Sequence, residues 1–192
     1  MSDQVEVFCR QGWSLARAEV DEVIPVDEAP LEARMDRGNA KRLRKCHRDG
    51  LTGRLLAPDL LPSVHKNLVA SRAARGWRLS MDLRQMQDMQ DLYPDRVVLV
   101  GVESGGGLAA TAFCLRLSPD VLYVFAWGHL PEYNSWSPVV ALADALHVHC
   151  RSLGVRQLDL GTCPPDQPGL VRFKRGLGAC GSLKVTLSKE LQ

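Results

Sequence analysis

Residues 158–179 read LDLGTCPPDQPGLVRFKRGLGA, and they set the architecture of the second half of the chain. The opening residues close VRQLDLG (155–161), where apolar and polar side chains alternate as in a half-buried strand. CPPDQP then interrupts that pattern, because proline removes backbone donors and fixes φ. GLVRFKRG restarts it as a short helix that Gly176 and Gly178 bring to an end. SLKVTLS, after the glycines, predicts a last strand.

Working back from this stretch, SPVVALADALHVHCRSLG is the best-delimited helix of the sequence. Ser137 stands as its N-cap, Pro138 at the first helical position and Gly154 at its exit. Upstream of the irregular GHLPEYNSW lie three strands, RVVLVGVE, LAATAFCLRL and VLYVFAW, separated by the turns SGGG and SPD. They predict an antiparallel meander. Gly105 to Gly107 therefore belong to a hairpin turn, not to a nucleotide-binding loop between strand and helix. Two amphipathic helices precede the meander: LPSVHKNLVASRAARGW carries Val64, Leu68 and Val69 at helical spacing, and MDLRQMQDMQDLYP carries Leu83, Met86, Met89 and Leu92. LTGRLLA (51–57) is a short strand candidate, and DRGNAKRLRKCHRDG a basic helix expected on the surface. Residues 1–35 are expected to be an N-terminal extension with one strand, AEVDEVIPV, and residues 36–192 the main domain. The fold class is α/β (α+β), with a mixed, mostly antiparallel central sheet flanked by helices.

Length and composition bound the function. The 192 residues suffice for one sizeable core, and 45% hydrophobic with 24% charged residues is ordinary for a globular domain. No run of 18 apolar residues is present, so no membrane span is expected. The first residues lack the basic-then-apolar profile of a secretory signal, from which a cytoplasmic location is expected. Six cysteines without a C-x-x-C pair read as reduced thiols. A net charge of +2 removes any global electrostatic argument for nucleic acid, although residues 34–54 concentrate basic side chains.

The succession of elements, together with Asp159-x-Gly161 and Gly169-x-x-x-Phe173-Lys174-x-x-x-Gly178, resembles the GNAT-type N-acyltransferases. Within them it is similar to the branch of the Fem-type peptidyltransferases and cellulose-biosynthesis acyltransferases. NAKRLRKCHRDGL likewise resembles the basic helix that opens that domain, and the resemblance spans about residues 36–188. It implies a GNAT-like sheet and transfer of an acyl or aminoacyl group to an amine, a small molecule or a peptide. The donor would be an acyl-CoA, an acyl carrier protein or an aminoacyl-tRNA, used as co-substrate with no tightly bound cofactor, and a homodimer is compatible with it. The chain departs from acetyl-CoA users in reading HLPEYNSWSPVV where they carry a glycine loop, and it has room for one such domain where Fem-type ligases carry two. The rival class is a non-catalytic domain of this fold that recognises a phosphate-bearing ligand or partner.

Acyl transfer needs a held donor, a neutral amine, and groups that stabilise the developing oxyanion. The resemblance places the lysine matching Lys174 at the transfer site, with Phe173 as the anchor that aims it. It also implies that VLYVFAW and VRQLDLG diverge, so that the helix starting at Ser137 points into the gap. Asn134, Ser135, Ser137 and Val139 around that helix start are then candidates for holding the donor, since free amides there suit phosphate or a thioester oxygen. His129 and Tyr133 follow the preceding strand and are candidates for proton transfer. Asp159, which alternation sends to the face opposite Leu158 and Leu160, is a fourth catalytic candidate. Each has a structural alternative: an ordinary capped helix, a solvated histidine, a capping or salt-bridging carboxylate, a solvated Lys-Arg pair. Arg172 and Arg175 are expected to be replaceable. His147 and His149 lie two residues apart on a helix, about 200° around its axis, so no metal site is expected there.

Overall fold

The computed structural model describes residues 3–164 and 167–190. Among them are seven strands in one sheet: β1 (Ser14–Pro25), β2 (Thr52–Leu55), β3 (Val97–Ser104), β4 (Gly107–Ser118), β5 (Val121–His129), β6 (Gln157–Cys163) and β7 (Cys180–Ser188). Their spatial order is β2-β3-β4-β5-β6-β1-β7. The helices are α1 (Asp3–Arg10), α2 (Arg37–Arg48), α3 (Leu61–Ala73), α4 (Leu83–Leu92), α5 (Pro138–Ser152) and α6 (Pro168–Gly176). No helix among the described residues is long and apolar enough to cross a membrane.

The sheet separates two cores. One joins α2 and α5, through Leu43, Cys46, Val140, Leu142 and Leu146, to Val100, Leu122 and Leu158. The other joins α3 and α4, through Leu61, Val64, Leu68 and Met86, to Leu99 and Phe113. Burial on both faces explains why β3 and β4 read as nearly continuous apolar runs. The β3–β4 connection is a two-residue turn in which Gly105 and Gly106 both have positive φ, as the hairpin reading requires. All neighbouring strands are antiparallel except β5 and β6, whose connection runs through α5 and crosses over.

Three expectations are corrected. Residues 14–25 are not an appendage: β1 lies between β6 and β7 and pairs with both, so a boundary at 35/36 would cut through the sheet. The AEVDEVIPV strand starts earlier than expected, and α1 precedes it. The basic helix α2 is not simply a surface element. Asp36 caps it, accepting from the Asn39 amide at 2.7 Å, and Asn39, Ala40, Leu43 and Cys46 are buried along one face. Ser137, finally, occupies the N-cap position of α5 without capping it. A 3-10 turn over Pro131–Trp136 delivers it at φ +55, outside the extended region from which a serine hydroxyl reaches back to the first helical turn.

Candidate active site

β5 and β6 pair only at Val121↔Gln157, Leu122↔Leu158 and Tyr123↔Asp159. Beyond that point β5 stays with β4 as far as Ala110↔His129, and β6 stays with β1 as far as Val20↔Cys163. Each strand follows its outer neighbour, and the two diverge. The cleft so opened has a volume of about 1070 Å³. Its walls come from β5 and β6, the start of α5, α6, and the end of α3 with the segment after it.

Gly161 organises the α6 side. Its φ of +77 suits glycine, and a Cβ there would meet the Tyr123 ring at 3.4 Å. Its amide donates to the Asp159 carboxylate at 2.7 Å, and its carbonyl accepts from Lys174 Nζ at 2.7 Å. Lys174 Nζ also donates to the Thr162 carbonyl at 3.3 Å. Lys174 lines the cleft yet is only 2% exposed, and burial lowers its pKa against the opposing pull of Cys163, Asp21 and Glu22. Two carbonyls thus hold a buried amine at the point where the sheet opens, with the Cys163 side chain also bearing on it. Phe173, the neighbouring residue, packs on Trp127 with ring centroids 6.2 Å apart.

On the opposite wall His129 Nε2 lies 2.6 Å from Asn134 Oδ1. The tautomer protonated at Nε2 donates to this amide oxygen and leaves the lone pair on Nδ1. Nδ1 is buried without a partner among the described residues. Burial lowers the histidine pKa, Asn134 opposes that, and Arg75 adds to it. The imidazole is therefore neutral at physiological pH.

The cleft brings together Lys174, Phe173, His129, Asn134, Ser137 and Val139. Three other candidates stand off its wall. Tyr133 packs on Trp136 at 5.9 Å, and Ser135 is engaged through its carbonyl, which accepts from Lys45. Asp159 lies behind Gly161, its carboxylate engaged with the backbone and its pKa raised chiefly by burial. Arg175 is not a free surface cation: its Nε donates at 3.1 Å to Glu22, which is fully buried. Among the described residues no group of three or more His, Cys, Asp or Glu is placed to hold a metal ion.

Sequence reasoning missed one wall altogether. Arg72, Arg75, Trp77 and Arg78 line the cleft from the end of α3 and beyond, joined by Arg42 of α2 and by Arg17 and Glu19 of β1. The available signal was R-x-x-R at 72 and 75, a spacing that puts both side chains on one helical face, followed at once by Trp77-Arg78.

Comparison with known proteins agrees with this geometry. The chain matches the acetyltransferase (GNAT) domain over residues 15–175. Among solved structures it superposes on FemX with a TM-score of 0.79 at 13% identity, covering 94% of this chain and 66% of that one. L-PGS from Bacillus licheniformis gives 0.71 at 12% identity, with 97% and 65% covered. A GCN5-related N-acetyltransferase from Kribbella flavida gives 0.53 at 17% identity, with 98% and 64% covered. At such identities the likeness is one of fold, and the chain spans just under two thirds of each of these structures. No curated protein matches it by sequence.

Proposed function

The chain belongs to the acetyltransferase (GNAT) domain family, and from that premise we propose that it transfers an acyl or aminoacyl group from a carrier to an amine, in the cleft between β5 and β6. The observation that carries this reading is the buried Lys174 at the point of divergence, tied by two carbonyls and facing a neutral histidine across the gap. The amine attacks the acyl carbonyl directly, a new C–N bond forms, and the bond to the carrier breaks. Lys174 stabilises the oxyanion. His129 takes the proton that the amine sheds. The start of α5, lacking a side-chain cap, offers the Val139 amide to the donor, since Pro138 has no N–H and the Val140 amide donates to the Ser137 carbonyl.

The donor is an acyl-CoA, an acyl carrier protein or an aminoacyl-tRNA, and the acceptor a small-molecule or peptide amine. Turnover with a panel of these donors and amines tests the reading. Lys174→Ala is expected to lower kcat about 100-fold or more, and Lys174→Arg to restore little because the longer fork does not fit between the two carbonyls. Turnover unchanged in Lys174→Ala overturns this mechanism. The second reading, a binding domain without catalysis, draws on the 3-10 turn Pro131–Trp136 that stands where acetyl-CoA users place a glycine loop. Donor binding without any turnover supports that alternative.

A further inference from the structure

The cleft carries more positive charge than its own residues balance. Six of the side chains that line it are arginine or lysine, and one, Glu19, is acidic. Glu19 is taken up by Arg17 at 2.8 Å. Lys174 is held by carbonyls, and Arg42 of α2 donates to the Asn39 side chain at 2.8 Å. Arg72 and Arg75, one turn apart on α3, and Arg78, just beyond its end, have no carboxylate within 4 Å among the described residues. Arg72 Nε is buried without a partner among them. Burial lowers the pKa of Arg72, and the field of Arg75 adds to it.

The guanidiniums are held in place. The Arg72 guanidinium carbon lies 5.7 Å from the centre of the Trp77 ring. Arg75 Nη1 donates to the Ser71 carbonyl at 3.1 Å and to the Ser71 hydroxyl at 2.9 Å. Ser71 is buried against β5, where a Cβ on Gly128 would collide with its hydroxyl. This wall belongs to the face of the sheet that α3 covers, whereas the start of α5, with the Val139 amide, belongs to the other. The donor therefore leaves the three arginines unmatched. The field of Arg75 also reaches His129.

Such a wall selects among amines by their charge. A free amine is an ammonium near neutral pH, and a further cation entering beside unneutralised guanidiniums is repelled. An amine that brings its own anion enters with no net positive charge. Its anion then meets planar donors whose geometry suits carboxylate and phosphate.

We propose that the acceptor is an amine carrying a carboxylate or a phosphate a few bonds from its nitrogen, and that Arg72, Arg75 and Arg78 hold this anion while the amine faces His129. The proposal rests on the transferase reading and narrows its acceptor; the donor stays at the start of α5. The amine nitrogen forms its bond to the acyl carbon, the bond to the carrier breaks, and His129 receives the proton, while the anion takes no part beyond fixing where the amine stands. Diamines and other amines without an anion are excluded by the same charges that hold the acceptor.

The test is steady-state transfer by the full chain, with acetyl-CoA and an aminoacyl-tRNA as donors, to matched acceptors: propylamine against β-alanine, ethanolamine against O-phosphoethanolamine, and 1,4-diaminobutane. The anion-bearing member of at least one pair is expected to have a kcat/KM at least about tenfold higher than its partner. The pair with the larger ratio tells carboxylate from phosphate. Arg72→Gln and Arg78→Gln are each expected to raise KM for that acceptor about tenfold with a smaller change in kcat. Arg78→Glu is expected to raise kcat/KM for 1,4-diaminobutane, a gain that loss of structure does not produce. Circular dichroism establishes that each variant is folded, and Arg78, exposed beyond the end of α3, keeps the test valid if the Arg72 variant is not. Equal kcat/KM within both pairs, a wild-type preference for the diamine, or variants that slow all acceptors alike overturn the proposal and leave the transferase standing. Calorimetric titration with β-alanine and O-phosphoethanolamine gives a readout free of turnover. Binding of either that Arg78→Gln weakens, without transfer from any donor, supports the anion site and refutes the transferase, whereas neither binding nor transfer refutes both.

Discussion

Gly161 is where the chemistry of this chain is decided residue by residue. Its positive φ turns the amide toward Asp159 and the carbonyl toward Lys174, so the three residues act as one device in which the carboxylate orients the peptide and the peptide holds the amine. Asp159 is on this view a positioning residue. Asp159→Asn keeps an oxygen that accepts from the Gly161 amide, and is expected to retain transfer to within a few-fold. Asp159→Ala leaves that amide unsatisfied, a penalty of about 1–3 kcal/mol, and is expected to lower kcat by tenfold or more with little change in the pH profile. Steady-state kinetics of both variants across pH distinguish this from direct proton transfer, in which Asn fails as badly as Ala. The D-x-G and F-K pairs were legible as a motif; that one exists to hold the other was not, because a hydrogen bond across 13 residues leaves no mark on local periodicity.

At the scale of elements, α6 is fastened to β1 as well as to β6. Glu22 of β1 is fully buried, one carboxylate oxygen accepting from Arg175 Nε and the other without a partner among the described residues. Arg175 is itself about half exposed, so solvent moderates the pairing. Arg175→Ala is expected to destabilise the chain by about 1–3 kcal/mol, because it strands a buried carboxylate. Adding Glu22→Gln should recover part of that loss, and urea denaturation of the single and double variants measures the coupling. The helices and strands themselves were readable where caps and alternation marked them: all seven strands were anticipated, as were five of the six described helices. Ser137 shows the limit of such signals. Ser-Pro marks a helix start correctly, but the preceding 3-10 turn sets the serine's φ and denies it the capping bond.

For the molecule as a whole, the histidines set a pH limit on stability. His129, His147 and His149 all have pKa values lowered chiefly by burial, and both ring nitrogens of the fully buried His147 lack partners among the described residues. A base whose folded pKa lies below its unfolded value binds more protons when unfolded. Stability is then fully present above the unfolded pKa, about 6.5, and is lost as pH falls through it toward the folded pKa. The melting temperature is expected to decline between pH 7 and pH 5, and His147→Leu to flatten that decline. Thermal melts of both proteins over this range provide the check, and an unchanged slope in the variant assigns the effect elsewhere.

Local order was determined by the sequence alone: where strands alternate, where helices start and stop, and that a carboxy-terminal motif pairs Phe173 with Lys174 between glycines. These follow from nearest-neighbour sterics, capping and hydrophobic period, which act over a few residues. Tertiary structure alone decided the rest. It inserted β1 between two strands more than 130 residues further along the chain, in pairings such as Val20↔Cys163 and Val20↔Leu183. It parted β5 from β6 by giving each a different outer neighbour, and it brought the arginines that follow residue 71 to face a lysine at 174 across the opening. Strand partners and cleft walls are set by which surfaces bury together over the whole chain, and that free energy is not written in any single window of residues.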